Sequence, residues 1–189
     1  QTNERLDGYL VFKTNQVTND HLKNKLGISE LKPYTSGIVS GIVSSKPKIE
    51  EGGHVFFSLV TKDYKINCAV YRPTKITTIV QELAIGDKIR VGGGIRKASK
   101  KHNRTLNVEF IEVLKLAKQY KMTNPLCWNC NKKMKSKGKN QGFECIKCEN
   151  KTDKKIRTEI PRKIEPKLYV PAVTAHRHLT RPLQRIGRT

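Results

Sequence analysis

The chain contains no run approaching the roughly 18 consecutive apolar residues that a membrane-spanning helix needs, and its first residues lack the charged-then-apolar layout of a signal peptide. A soluble, cytoplasmic protein with no membrane partner is the expectation. There is no glycine-rich phosphate loop ahead of a helix, nor a carboxylate cluster that could hold Mg²⁺, so no catalytic residue is identifiable. Acidic groups are also scarce: 16 Asp and Glu stand against 38 Lys and Arg, a formal charge of +22. That imbalance exceeds what solubility needs and points to a polyanionic partner, nucleic acid first, with a merely solvated lysine-rich surface as the bland alternative. Hydrophobic residues make up only 36%, low but adequate for folded cores in one ordinary domain or two small ones.

What is present divides into four parts. Residues 1–34 are nearly balanced, with five basic and four acidic groups, whereas residues 151–189 carry eleven basic groups against three acidic ones. Between them, residues 35–116 read as a β domain. The segment from Thr35 to Ser45 is β-branched and interrupted by Gly37 and Gly41, which suits a long first strand bending as a barrel closes. His54 to Thr61 follows as a second strand. After the Lys62-Asp63 step, Tyr64 to Tyr71 is a third strand, with Ile66, Cys68 and Val70 on one face. Cys68 therefore reads as a small buried hydrophobe and not a reactive thiol. Past Pro73, the spacing of Ile76, Ile79, Val80 and Leu83 predicts a short amphipathic helix that Gly86 ends. Strands return at Asp87 to Arg96 and Thr105 to Lys115.

Three strands, a helix and two more strands is the order of an OB-fold, a five-stranded Greek-key barrel. The ligand of such a barrel lies across strands 2 and 3 and between the loops joining strands 1 to 2 and 4 to 5. Those loops hold Lys46 and Lys48, and Arg96, Lys97, Lys100, Lys101 and Arg104. Arg72 and Lys75 follow the third strand. Phe56 and Tyr71 can stack on bases if they face outward, whereas Phe57 alternates with Val55 and Leu59 on the buried face.

Residues 122–152 carry the most specific signal. Cys127-Trp128-Asn129-Cys130 and Cys145-Ile146-Lys147-Cys148 are two Cys-x-x-Cys turns fourteen residues apart. Each turn lets two thiolates converge, and together they make the closed tetrahedral sulfur shell of a structural zinc ribbon, with no open position for catalysis. Met134 and Phe143, with Gly138 and Gly142 near the tip, fit a β-hairpin that folds one turn onto the other. The hairpin presents Lys132, Lys133, Lys135, Lys137 and Lys139 to a nucleic acid.

By composition, residues 153–189 are a basic, proline-containing tail that reads as disordered. The interleaving of Leu168-Tyr169-Val170-Pro171 and Ala175-His176-Arg177-His178-Leu179, with Arg181 beyond, instead favours RNA contact or packing on a larger body. His176 and His178 lack further ligands nearby for a second metal.

The run Phe12-Lys13-Thr14-Asn15-Gln16 with Thr18 and His21, the segment Gly52-Gly53-His54-Val55, the run Ile66 to Tyr71 with Pro73-Thr74-Lys75, the two cysteine turns and the closing Ala175-His176-Arg177-His178-Leu179 resemble the C-terminal part of the archaeal tRNA(Ile) agmatidine synthetases. Members of that family use ATP to attach agmatine to the wobble cytidine of an isoleucine tRNA, and combine a kinase-like ATP-using domain, a ferredoxin-like domain, an OB-fold and a zinc ribbon. The resemblance implies that residues 1–34 are a short α/β remnant of the ferredoxin-like domain, that Thr14, Asn15, Gln16, Thr18 and His21 form a family motif, and that tRNA(Ile) is the partner. It implies that ATP and Mg²⁺ belong to domains missing here, in the same chain or another. Val17 departs from the family's glycine, and a β-branched residue resists the positive φ that a glycine takes easily. A stand-alone OB and zinc-ribbon protein attached to ribosomal or other RNA remains the alternative. On the first reading, the isolated chain binds tRNA(Ile) but neither hydrolyses ATP nor incorporates labelled agmatine with Mg²⁺ present. A radiolabel assay on the purified chain checks this.

Overall fold

The computed structural model describes residues 7–62, 64–100 and 103–186. Asp63 of the Lys62-Asp63 step and the candidate contact Lys101 lie outside the described residues. The β-rich region forms strands β1 (Ser36–Val43), β2 (Lys48–Ile49), β3 (Val55–Thr61) and β4 (Tyr64–Val70), then helix α1 (Thr77–Gln81), β5 (Lys88–Arg96) and β6 (Thr105–Lys115). Strand β1 pairs with β5, β5 with β6, and β6 in parallel with β4. Strand β4 pairs with β3, which returns to β1 through Ile42↔Val60 and Val43↔Leu59, so the barrel closes. The five long strands and the helix between the third and fourth follow the order expected from the sequence; the two-residue β2, which extends the edge of β3, was too short to produce a period.

Alternation fills this barrel. Val39 and Val43 of β1, Val55, Phe57 and Leu59 of β3, and Ile66, Cys68 and Val70 of β4 all point inward, meeting Ile89, Val91, Leu106 and Ile111. Ile76, Val80 and Leu83 place the helix's apolar stripe over one end of the same core. Glycine at 37 has a different reason from the bend expected. A Cβ there would come within 2.7 Å of Asn24 O and of Leu26 Cδ1, because the N-terminal segment crosses β1 at this point. Leu26 N donates to Ile38 O (2.9 Å) and Ile38 N to Asn24 O (2.8 Å).

The N-terminal segment is not α/β among its described residues. It makes two 3-10 turns, Asp20–Leu22 and Ile28–Glu30, and one parallel bridge, Lys25↔Ile38. Leu22, Ile28 and Leu31 are buried, each contributing roughly 1.5–3 kcal/mol by removal from water.

Beyond the barrel, β7 (Gln119–Thr123) leads out to a small three-stranded sheet of β8 (Lys135–Ser136), β9 (Phe143–Glu144) and β10 (Lys151–Thr152). The chain then returns as β11 (Ile156–Ile160), paired antiparallel along the whole of β7. These two strands make a stem between barrel and ribbon, so the boundary drawn at residue 152 shifts into what composition reads as a disordered tail. After the stem, Ile164 enters the barrel core and β12 (Leu168–Tyr169) pairs with β6.

Arg162 locks this return. Its guanidinium makes a fork to Asp87, Nη1 to Oδ1 and Nη2 to Oδ2, both at 2.7 Å, and also donates to the carbonyls of Ala117 (2.9 Å) and Glu82 (2.8 Å). Asp87 is wholly buried and accepts two further bonds, from Ala84 N and Ala117 N, both 2.8 Å. The hydrogen bond from Arg162 to Asp87 raises the guanidinium's pKa further, so the cation is permanent. Arg162→Ala would leave a buried carboxylate without its counter-charge and should cost on the order of 3–5 kcal/mol. Urea unfolding followed by circular dichroism measures this as a lowered midpoint of the barrel transition.

Candidate nucleic-acid interface and metal centre

The four cysteines of the two turns converge. Their sulfurs all lie within 4.8 Å of one another, and Cys130 Sγ is 3.4 Å from Cys145 Sγ. That is far beyond an S–S bond and close to the ~3.8 Å edge of a tetrahedron with metal–sulfur bonds of about 2.3 Å. Met134 and Phe143 pack beneath, completing a small core with Cys127 and Cys145. Burial pushes the Cys127 thiol up, but donors outweigh it: the N–H groups of Cys130 and Asn129, and the Asn150 amide, bring it down to about 6. Cys148 is instead held up at about 12, first by its hydrogen bond with Cys130 and then by burial and that neighbour's charge. Four crowded thiols of this kind cannot ionise together without a cation between them. The donor set and spacing fit zinc. Cys68 lies apart, inside the barrel, where burial pushes its thiol far up and keeps it unreactive.

On the barrel, a cleft of about 360 Å³ crosses β3 and β4, lined by Ser45, Lys46, Lys48, Phe56, Asn67 and Asn103 among others. It lies between the two loops where OB-fold ligands are expected. Lys46, Lys48, Arg72, Lys75, Arg96, Lys97 and Lys100 are exposed there or nearby. Phe56 is half-buried in the cleft, while Phe57 turns its ring into the core, as alternation predicts. Tyr71 is tied back: its hydroxyl donates to Asn107 Oδ1 (3.3 Å) and its ring meets His54 edge-on at 5.0 Å. Arg104 does not project with the loop either. Its Nη1 donates to Leu31 O (2.6 Å) and anchors the N-terminal segment.

On the ribbon, Lys132, Lys133, Lys135, Lys137 and Lys139 are all exposed, with Lys137 engaging Glu144 at 2.7 Å. The stem adds cations that sequence reading left out. Lys121 and Lys155 are exposed, and Arg157 stacks over Tyr120 at 3.7 Å. The alternation of that strand pair was the available signal, obscured by 32 intervening residues between β7 and β11.

The two end motifs meet each other. Val17 N donates to His178 O (2.9 Å), Asn19 N to Leu179 O (2.8 Å), and Arg181 N to Asn19 Oδ1 (2.8 Å). His21 Nε2 donates to Glu109 Oε2 at 2.8 Å, and Arg177 Nη1 reaches Glu109 Oε1 at 3.3 Å, so one carboxylate of β6 clasps both segments. His176 bonds Pro171 O (3.1 Å) and His178 is exposed, so the two imidazoles do not form a site. Thr18 Oγ1 donates to Asn15 O (2.6 Å) and Thr14 Oγ1 accepts from Gln16 N (3.2 Å), holding the exposed Thr14-Asn15-Gln16 turn. Val17 adopts a positive φ, 54°, although it is β-branched; the bond from its N–H to His178 O secures it. Between the segments opens a cleft of about 670 Å³ edged by Lys23, Arg181 and Arg185.

Residues 124–164 match the family described as the TiaS C-terminal zinc ribbon domain. The TiaS protein of Cenarchaeum symbiosum, a 2-agmatinylcytidine synthetase for an isoleucine tRNA, is 46% identical over 189 residues, covering 100% of this chain and 42% of the relative. The crystal structure of apo TiaS superposes with a TM-score of 0.74 at 36% identity, over 92% of this chain and 40% of that one. A crystal structure of TiaS in complex with its isoleucine tRNA, AMPCPP and agmatine superposes with a TM-score of 0.71 at 33% identity, over 97% and 41%. The chain thus spans about two fifths of the length of the relatives it matches.

Because the ribbon's core is so small, chelation should unfold residues 125–150 while the barrel stays folded. Cys127→Ser should reproduce the effect, whereas Cys68→Ser should lower barrel stability only through polar burial. Hydrogen exchange before and after chelation, with elemental analysis for zinc, measures both; protein isolated without chelator but free of zinc contradicts the assignment.

Proposed function

The chain is homologous to the C-terminal part of the archaeal TiaS proteins, and from that kinship we propose that it is the tRNA-binding portion of an ATP-dependent ligase that attaches agmatine to the wobble cytidine of tRNA(Ile). Its ATP and Mg²⁺ chemistry belongs to domains outside this chain, in the cytoplasm where tRNA is found. No helix among the described residues is long and apolar enough to cross a membrane. A structural zinc held by Cys127, Cys130, Cys145 and Cys148 keeps the ribbon folded.

The observation that carries this reading is the cleft across β3 and β4, with Lys46 and Lys48 at its edge and Phe56 in its wall. Cations there would hold phosphates while the floor receives sugar and base edges. The stem and ribbon lysines extend the positive surface beyond the barrel, as one tRNA limb would require. Exposed Tyr9, Leu10, Val11 and Phe12 form an apolar run in the N-terminal segment, which supports packing against a further domain more than a free-standing life.

If these cations neutralise several phosphates together, log affinity for tRNA should fall linearly with log salt, by about 0.9 per duplex phosphate contacted and about 0.7 per single-stranded one. Fluorescence anisotropy across a salt series gives the slope. Structured tRNA should bind more tightly than DNA of equal length, because 2′-hydroxyls and A-form shape contribute. A slope near zero makes the charge a solvated surface, and equal affinity for both polymers favours a generic RNA- or ribosome-binding protein.

A further inference from the structure

The two metal-binding turns are built alike. In the first, Cys127 N donates to Lys132 O and Asn131 N to Cys127 O, both 2.8 Å. In the second, Cys145 N donates to Asn150 O (2.9 Å) and Glu149 N to Cys145 O (2.8 Å). Asn131 and Glu149 occupy the same left-handed conformation, φ 55° and 56°. The correspondence puts Trp128 and Ile146 at one equivalent point, directly after the first cysteine of each turn. Both face solvent, 69% and 70% exposed, and Leu126 beside Trp128 is exposed too. The ribbon's core is made by Met134, Phe143 and the cysteines without them.

An indole held out of a core that small forgoes burial the ribbon could use, on a turn whose shape is fixed by two backbone hydrogen bonds and the sulfur cluster. Its surroundings are cationic. Lys133 lies across the bridge from Leu126, and Lys132 and Lys147 are exposed in the two turns. Of the nearby carboxylates, Glu144 is engaged by Lys137 at 2.7 Å and Lys151 at 3.4 Å. A rigid, outward aromatic plate among ammonium groups is complementary to a base with its phosphates, because every base has a π-face and stacking needs no particular sequence.

We propose that Trp128 is a stacking plate for one unpaired base of the bound RNA, with Lys132, Lys133 and Lys147 meeting the flanking phosphates. This rests on the RNA-binding reading above and adds a contact outside the barrel cleft. A metal ion held by the four cysteines would keep the plate in place without taking part in the stacking.

Trp128 is the sole tryptophan of the chain, so its emission reports this contact directly. The zinc-loaded 189-residue chain is titrated with a tRNA(Ile) transcript, following tryptophan emission and anisotropy of labelled RNA together. The expected result is quenching that saturates in step with anisotropy. Trp128→Ala should weaken binding by on the order of tenfold or more, and Trp128→Phe should retain most of it. The salt slope should stay unchanged in both, since no cation is removed. Zinc content and circular dichroism confirm that the variants fold; if Trp128→Ala loses zinc, wild-type quenching and the Phe variant decide.

Wild-type affinity in Trp128→Ala, or unquenched emission at saturation, overturns the stacking role while leaving RNA binding intact. No RNA binding by the wild type overturns the functional reading itself. Self-association that depends on Trp128 and is indifferent to RNA, seen by light scattering, makes the turn a protein contact instead.

Discussion

The Asp87–Arg162 fork is the constraint on which the remainder of the molecule depends. A carboxylate with no solvent exposure is tolerable only when its oxygens are filled, and here two backbone N–H groups and both arms of a guanidinium fill them. The residues joined are 75 apart, so the pair ties the chain that returns from the ribbon back onto the barrel. With Arg162 seated over the end of the helix, Ile164 reaches the core and β12 adds to β6. The C-terminal segment is thereby delivered to the N-terminal turn.

Barrel and ribbon obtain their stability from different sources. The barrel has a continuous apolar interior fed by its five long strands, and its own cysteine is simply part of that interior. The ribbon has two buried apolar side chains and a cluster of sulfurs whose proton affinities are driven apart, down at Cys127 and up at Cys148. Lowering pH returns protons to those sulfurs and weakens metal binding, whereas the barrel contains no such dependence on its thiol. Among the described residues β7 and β11 pair with each other and with neither sheet, so the stem keeps the ribbon's backbone pairing separate from the barrel's.

At the junction of the chain's two end segments, polar groups do what the core does elsewhere. Glu109 accepts from His21 and Arg177 together, and the backbone of His178 and Leu179 satisfies the amides of Val17 and Asn19. A valine at positive φ is an uncommon conformation with a local cost, offset where neighbouring contacts specify it. The exposed Thr14-Asn15-Gln16 turn is thus presented on a framework assembled from both ends, beside the cleft edged by Lys23, Arg181 and Arg185.

How much of this is legible in the residues alone depends on the range of the interaction. Period-two alternation in 55–61 and 64–70 is a local property, and those strands form where it places them. The paired Cys-x-x-Cys turns carry their chemistry in a three-residue spacing, so the sulfur cluster is readable without a fold. The positive charge, too, is a matter of composition and predicts a polyanionic partner before any geometry. Which cations remain available is not: Arg104 is claimed by Leu31 O and Arg162 by Asp87, across 73 and 75 residues. The apparent tail is ordered for the same reason, because its strands have partners only in β7 and β6, and no local pattern records a partner. Phe57 is placed in the core by its alternation with Val55 and Leu59, but Trp128 has no such local period, and only the assembled cysteine turns decide that it faces solvent.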